Sequence, residues 1–205
     1  MIRRRTMLSV GSVLLIAGLC GAEIIGVAGG WGPPGKALGP YQMTRFPLDE
    51  RPLHEYVTYV PSPLGGQIDF SVPVSHVRVG QGWGGGWHGY EGDVYVSYDP
   101  AVTLHLPNET RAFYFYASQW ADYEWITAVT DDGTSIGQLS HPGGALYFGF
   151  YQDDPAGPPI EWIEVACPTS GMVVVGELAI AIPAPGALAL AGVGAIGAGG
   201  RRRRR

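Results

Sequence analysis

Apolar residues in this chain come in short runs, about one every ten residues, and each run is closed by Gly, Pro, Asp or Asn. From residue 65 onward the runs cover 67–72, 76–79, 93–98, 102–106, 112–118, 125–130, 135–139, 146–151, 160–166 and 172–182. An earlier run, 55–60, reads as a possible first strand. No stretch repeats on a helical period of 3.6, so the pattern predicts strands throughout. Many short strands separated by turn residues predict an all-β fold, an antiparallel β-sandwich of jelly-roll-like winding.

Two runs declare which way they face. In 112–118 Phe113 and Phe115 alternate with Tyr114 and Tyr116; in 146–151 Phe148 and Phe150 alternate with Tyr147 and Tyr151. Side chains alternate faces along a strand, so each run has a Phe side and a Tyr side. The Phe sides belong to the core, where each ring removes about 150–250 Å² from water. The Tyr sides lie either under loops and at the sheet margin or on a partly exposed aromatic face. Asp131-Asp132-Gly133 between two runs is a hairpin turn signal, because glycine supplies a positive φ.

Composition narrows the class. Among 205 residues there are 32 glycines and 17 prolines, with only 15% charged and 46% hydrophobic. That excludes a coiled coil or helical bundle and a highly charged disordered chain. The thirteen basic residues are not spread evenly: Arg3–Arg5 and Arg201–Arg205 account for eight, and residues 23–182 hold 5 basic against 18 acidic side chains. A body near −13 argues against nucleic acid and anionic lipid as partners. The length suits one domain with a real core.

The two ends read as addresses. Residues 1–22 have three arginines, an apolar run from Leu8 to Leu19 and the small residues Gly21 and Ala22, the layout of a secretory signal peptide cut after Ala22. Only Cys167 then remains, so the exported body has no internal disulfide, and the thiol is expected to be buried. Residues 23–63 read as an irregular Gly/Pro-rich arm and 64–182 as the β-sandwich. At the other end Pro183-Ala184-Pro185 is followed by the small and apolar residues 186–200 and by Arg201, Arg202, Arg203, Arg204 and Arg205. As a helix, 186–200 is about 22 Å long, short of the roughly 30 Å hydrocarbon core. A short apolar helix held by cytoplasmic arginines pauses in a membrane rather than spanning it permanently.

This combination resembles the PEP-CTERM class of bacterial exported proteins, in which a Pro-x-Pro motif, an apolar helix and a basic cluster follow an exported body. The resemblance implies signal peptidase and a membrane-embedded exosortase as partners during export, transient membrane insertion, and delivery to the cell envelope, cell surface or extracellular matrix. The body from about Gly65 to Ile182 also resembles bodies of that class; this implies a β-sandwich and export, and no established activity.

One segment stands apart: Gly82-Trp83-Gly84-Gly85-Gly86-Trp87-His88-Gly89-Tyr90-Glu91-Gly92-Asp93. Indoles spaced by glycines do not make a strand with a packed face; they make a loop draped over one end of a sandwich. Trp83 and Trp87 either plug that end, or present flat rings to an extracellular polysaccharide with Tyr90, His88, Glu91 and Asp93 supplying hydrogen bonds, or form an oligomer contact. Exposed coplanar indoles would mark a sugar site and buried indoles a structural role.

Catalytic patterns are weak. No Gly-x-Ser-x-Gly turn is present, and His54, His76, His88, His105 and His141 are scattered singly rather than paired at metal-ligand spacing. Asp131, Asp132, Asp153 and Asp154 do not follow a calcium-loop spacing. Glu177, interior to an apolar run, is expected to pair with an arginine such as Arg111. The sequence reading is a non-enzymatic protein with no catalytic residues, no metal and no cofactor.

Overall fold

A computed structural model of the chain describes residues 23–29, 34–84, 86–120, 123–141 and 144–183. The signal peptide and the apolar C-terminal helix expected from the sequence lie outside the described residues, as do Pro185 and Arg201–Arg205. All regular structure among the described residues is β. The first strands are β1 (Ile24–Gly29), β2 (Ala37–Leu38), β3 (Tyr41–Gln42), β4 (Thr44–Arg45) and β5 (Tyr56–Pro61). The middle of the chain gives β6 (Gln67–Val79), β7 (Gly82–Trp83), β8 (Asp93–Ser97), β9 (Ala101–His105) and β10 (Ala112–Ser118). The last five are β11 (Trp125–Thr130), β12 (Ser135–Leu139), β13 (Leu146–Gln152), β14 (Trp162–Ala166) and β15 (Val173–Ala181).

One sheet runs β1-β13-β10-β15-β8-β6-β9-β14-β11-β12, and β4, β5 and β7 pair from its sides. Every pairing along that path is antiparallel. The two ends of the path approach each other: the Thr134 hydroxyl donates to the Ile24 carbonyl at 3.0 Å, and the Ile24 N–H donates to Asp132 Oδ2 at 3.3 Å. The result is a nearly closed, barrel-like sandwich, which leaves little free edge for unwanted strand pairing. The 131–133 turn joins β11 to β12, with Gly133 at φ 89°, as its sequence predicts.

Residues 24–29 correct the sequence reading. They form β1, paired with β13 along its whole length from Ile24↔Gln152 to Gly29↔Tyr147, not an irregular arm. The run Ile-Ile-Gly-Val-Ala-Gly is strand-like by itself, but its partner lies more than a hundred residues away, so only the closed sheet reveals it.

The Phe sides of β10 and β13 face the interior, where Phe115 and Phe148 are cross-strand partners stacked at 5.5 Å. The Tyr sides face outward and are buried too. Tyr114, Tyr116 and Tyr147 join Val94, Val96, Val174 and Ala179 in a second apolar layer, to which Leu38 of β2 and Trp87 belong. The Tyr faces therefore lie under loops.

Register also fixes two poles. Ile24, Gln152, Ala112 and Ala181 lie side by side on β1, β13, β10 and β15 at one pole, while Ser97, Ser118 and Val173 lie together at the other. β15 has nine residues, so the poles are about 30 Å apart at roughly 3.3 Å per residue.

Candidate functional site

The 82–93 segment does not form the sugar platform that two exposed indoles would make. Trp87 is only 2% exposed and lies in the outer layer. It fits there because residue 176 of β15 is glycine: a β-carbon at Gly176 would fall 3.0 Å from the indole and 2.6 Å from Val94. Tyr90 packs beside Trp87, with ring centroids 6.2 Å apart, and its hydroxyl donates to the Asp93 carbonyl at 3.1 Å. Burial pushes that phenol well above its ordinary value. His88 turns the loop at φ 49°, with its Nε2 3.0 Å from the Ala145 carbonyl oxygen. Glu91 is exposed on the lip of a cleft of about 430 Å³ beneath the loop, walled by Val79, Trp87 and Tyr90. Among the expected site residues Trp87 and Asp93 are buried, Trp83, His88 and Tyr90 are half-buried, and Glu91 is exposed.

Asp93 belongs to a different structure. It begins β8, is 4% exposed, and faces the barrel interior together with Tyr95. Arg78 on β6 donates to its Oδ1 from Nε at 2.9 Å and approaches it with Nη2 at 2.8 Å. The Nε2 of fully buried His76 lies 3.0 Å from the same oxygen, and the Asp49 N–H donates to Oδ2. The other ring nitrogen of His76 faces the Pro52 carbonyl at 3.2 Å. Asp49 in turn accepts from Arg51 and from the Tyr95 hydroxyl. Burial pushes the Asp49 carboxyl up, but the Arg51 guanidinium and backbone N–H outweigh it and hold its pKa at about 2. The network straps residues 49–52 across the seam between β4 and β8, and charged groups with satisfied partners are what such a buried position demands.

The open site is elsewhere. At the pole where β8 and β10 end and β15 begins, a cleft of about 450 Å³ opens on the outer face of the sheet. Buried Val77 and Val96 floor it, and Trp83, Tyr98, Trp120, Met172 and His54 wall it. Trp120 is 74% exposed and Tyr98 64%. The indoles of Trp83 and Trp120 meet edge to face, centroids 5.5 Å apart at 68°, so they form a corner rather than a flat shelf. Gly82, at φ 95°, makes the corner possible, because a β-carbon there would fall 2.8 Å from the His54 ring. Tyr123 and Trp125, also exposed, continue the aromatic surface along the β10–β11 connection. The sequence reading missed Trp120, Tyr98, His54 and Met172. Trp120 follows directly on the Phe/Tyr run of β10, but nothing local says that it stays in water.

Two further expectations meet the structure. Cys167 is fully buried, and burial pushes its thiol up to about 11. Glu177 does not pair with Arg111, which lies against Glu109 and the Gly157 carbonyl. Its partner is Arg45 of β4, 3.9 Å away. The register of β10 with β15 slips at this point, and Glu177 sits in the slip at φ 48°, so its carboxylate is directed to β4 rather than along β10. Burial pushes the Glu177 carboxyl up. Among the described residues no group of three or more His, Cys, Asp or Glu side chains is placed to hold a metal ion. Compared with known proteins, the chain matches no family model, and no curated protein is significantly similar to it in sequence.

Proposed function

We propose that this chain is an exported, non-catalytic protein of the cell surface or extracellular matrix, handled by signal peptidase at residues 1–22 and by an exosortase-type enzyme at residues 183–205. The observation that carries the reading is the placement of the body's ends. Glu23, whose N–H donates to Asp153 at 2.9 Å, and Pro183, two residues after β15, leave the sheet from the same pole. Cleavage after Ala22 or beyond Pro183 therefore severs no strand pairing among the described residues, and a segment paused in a membrane would hold the body by one pole with the other directed outward. The crossovers that set β15 between β10 and β8 support a jelly-roll-like winding of that body.

The test is the intact mass and location of the chain expressed in a bacterium that carries an exosortase. The expected product begins at Glu23, lacks Arg201–Arg205 and is found outside the cytoplasm. A cytoplasmic product with both ends intact overturns the reading.

A second reading, saccharide binding, is favoured by one observation: the pole opposite the ends carries the exposed rings of Tyr98, Trp120, Tyr123 and Trp125. It is no longer carried by the loop as a whole, since Trp87 and Asp93 are committed to packing and to ion pairs.

A further inference from the structure

We propose that the corner formed by Trp83, Trp120 and Tyr98 is a binding site for an uncharged oligosaccharide. The inference rests on the saccharide reading and adds to it both a site and a ligand class.

The chemistry of the walls selects the ligand. Three aromatic rings line a cleft whose volume, about 450 Å³, lies within the roughly 300–1,000 Å³ of small-molecule sites. Two of them are largely exposed, so their faces are available without any rearrangement. Rings set edge to face give a ligand one flat surface and one edge, which suits the apolar C–H face of a pyranose with its hydroxyls directed sideways. The polar groups within reach are those of Tyr98, the indoles and His54; among the described residues no carboxylate, ammonium or guanidinium lines the cleft.

Charge excludes the competing ligands. A phosphate or uronate would find no lysine or arginine among the described residues of the walls, and residues 23–182, with 5 basic against 18 acidic side chains, repel a polyanion or an anionic bilayer. Among the described residues the cleft offers no carboxylate to a free cation.

Position fits as well. The cleft lies about 30 Å from the pole where Glu23 and Pro183 leave the sheet, so a body held by that pole presents it outward.

Titration calorimetry of the full chain tests the proposal, with cellohexaose, xylohexaose, mannohexaose and maltohexaose as neutral probes, polygalacturonate as the anionic one, and phosphatidylglycerol vesicles as the lipid one. The expected result is saturable binding of at least one neutral hexaose, weakened about tenfold or more by Trp120→Ala and by Tyr98→Ala and left unchanged by Leu48→Ala, an exposed apolar residue outside the cleft. Thermal unfolding of each variant verifies that the body stays folded. Neutral-hexaose binding that ignores both Trp120→Ala and Tyr98→Ala overturns the site while leaving saccharide recognition standing. Binding of polygalacturonate or vesicles alone overturns the ligand class. Silence from every neutral hexaose overturns the proposal and the saccharide reading together.

Discussion

Asp93 and Tyr98 stand at the two ends of β8, five residues apart, and the fold treats them in opposite ways. Both oxygens of Asp93 are engaged, by Arg78, His76 and the Asp49 N–H, and almost none of its surface reaches water. Tyr98 lies on the rim of a cleft with most of its ring in solvent. The polar cluster carries more reactive chemistry by composition, with two carboxylates, an imidazole and two guanidiniums. Yet each of these groups is already occupied by another part of the chain, and a ligand would have to displace a strap to reach them. The aromatic corner, though floored by the buried outer layer, leaves most of the Trp120 and Tyr98 rings uncommitted. The candidate site is picked out by what its side chains have left free, and residue type alone points the other way.

Replacing Asp93 breaks that comparison most severely. Asp93→Ala leaves His76 without its carboxylate and Arg78 without its main partner, and removing one member of a buried ion pair costs about 3–5 kcal/mol. Trp87→Ala, which empties a fully packed site in the outer layer, costs about as much through the cavity it leaves. Urea unfolding of both variants measures the loss. If either change is silent, the 82–93 segment is not the structural element described above.

Acid probes the same cluster more gently. The Asp49 carboxyl is held at about 2, below its ordinary 3.8, because its charged form is favoured in the fold. Its contribution is complete above about 4 and is lost as the pH falls through about 2. Stability is expected to drop across that window, and Asp49→Asn should remove this part of the drop. Glu177 runs the other way. Burial raises its pKa, so its contribution is present below the ordinary carboxylate value and is lost as the pH rises through the raised one. Glu177→Gln, which keeps the shape and discards the charge, is therefore expected to raise the melting temperature at pH 7 and to change it little at pH 4.

The parts of this fold that the sequence discloses are the local ones. The Phe/Tyr alternation of β10 and β13 states which side meets the core, since the period of a strand is fixed by its backbone. The Asp131-Asp132-Gly133 turn declares a hairpin, because its geometry needs only neighbours. What stays hidden depends on register between distant segments. Residues 24–29 become a strand only against 147–152, and Glu177 meets Arg45 only because the β10–β15 pairing slips at that residue. The candidate site was half visible. The glycine-spaced indoles drew attention to Trp83, but its partner Trp120 lies 37 residues further on, and Trp87 vanishes beneath the loop because β15 carries a glycine opposite it.

The smallest expected effect is also the sharpest discriminator between the two ends of β8. Trp120 is among the largest side chains in the molecule, and a buried indole would cost about 3–5 kcal/mol to truncate. With three-quarters of its surface already in water and one edge-to-face neighbour, Trp120→Ala should change the unfolding free energy by no more than about 0.5 kcal/mol. The same holds for Tyr98→Ala. A large loss of stability in either variant would mean that the ring supports the fold, that the corner is a packing accident of the β10–β11 connection, and that the contrast with Asp93 disappears. A negligible loss leaves two big aromatic rings on the surface with no structural duty, at the pole farthest from the ends of the body, which is what the proposed saccharide corner requires.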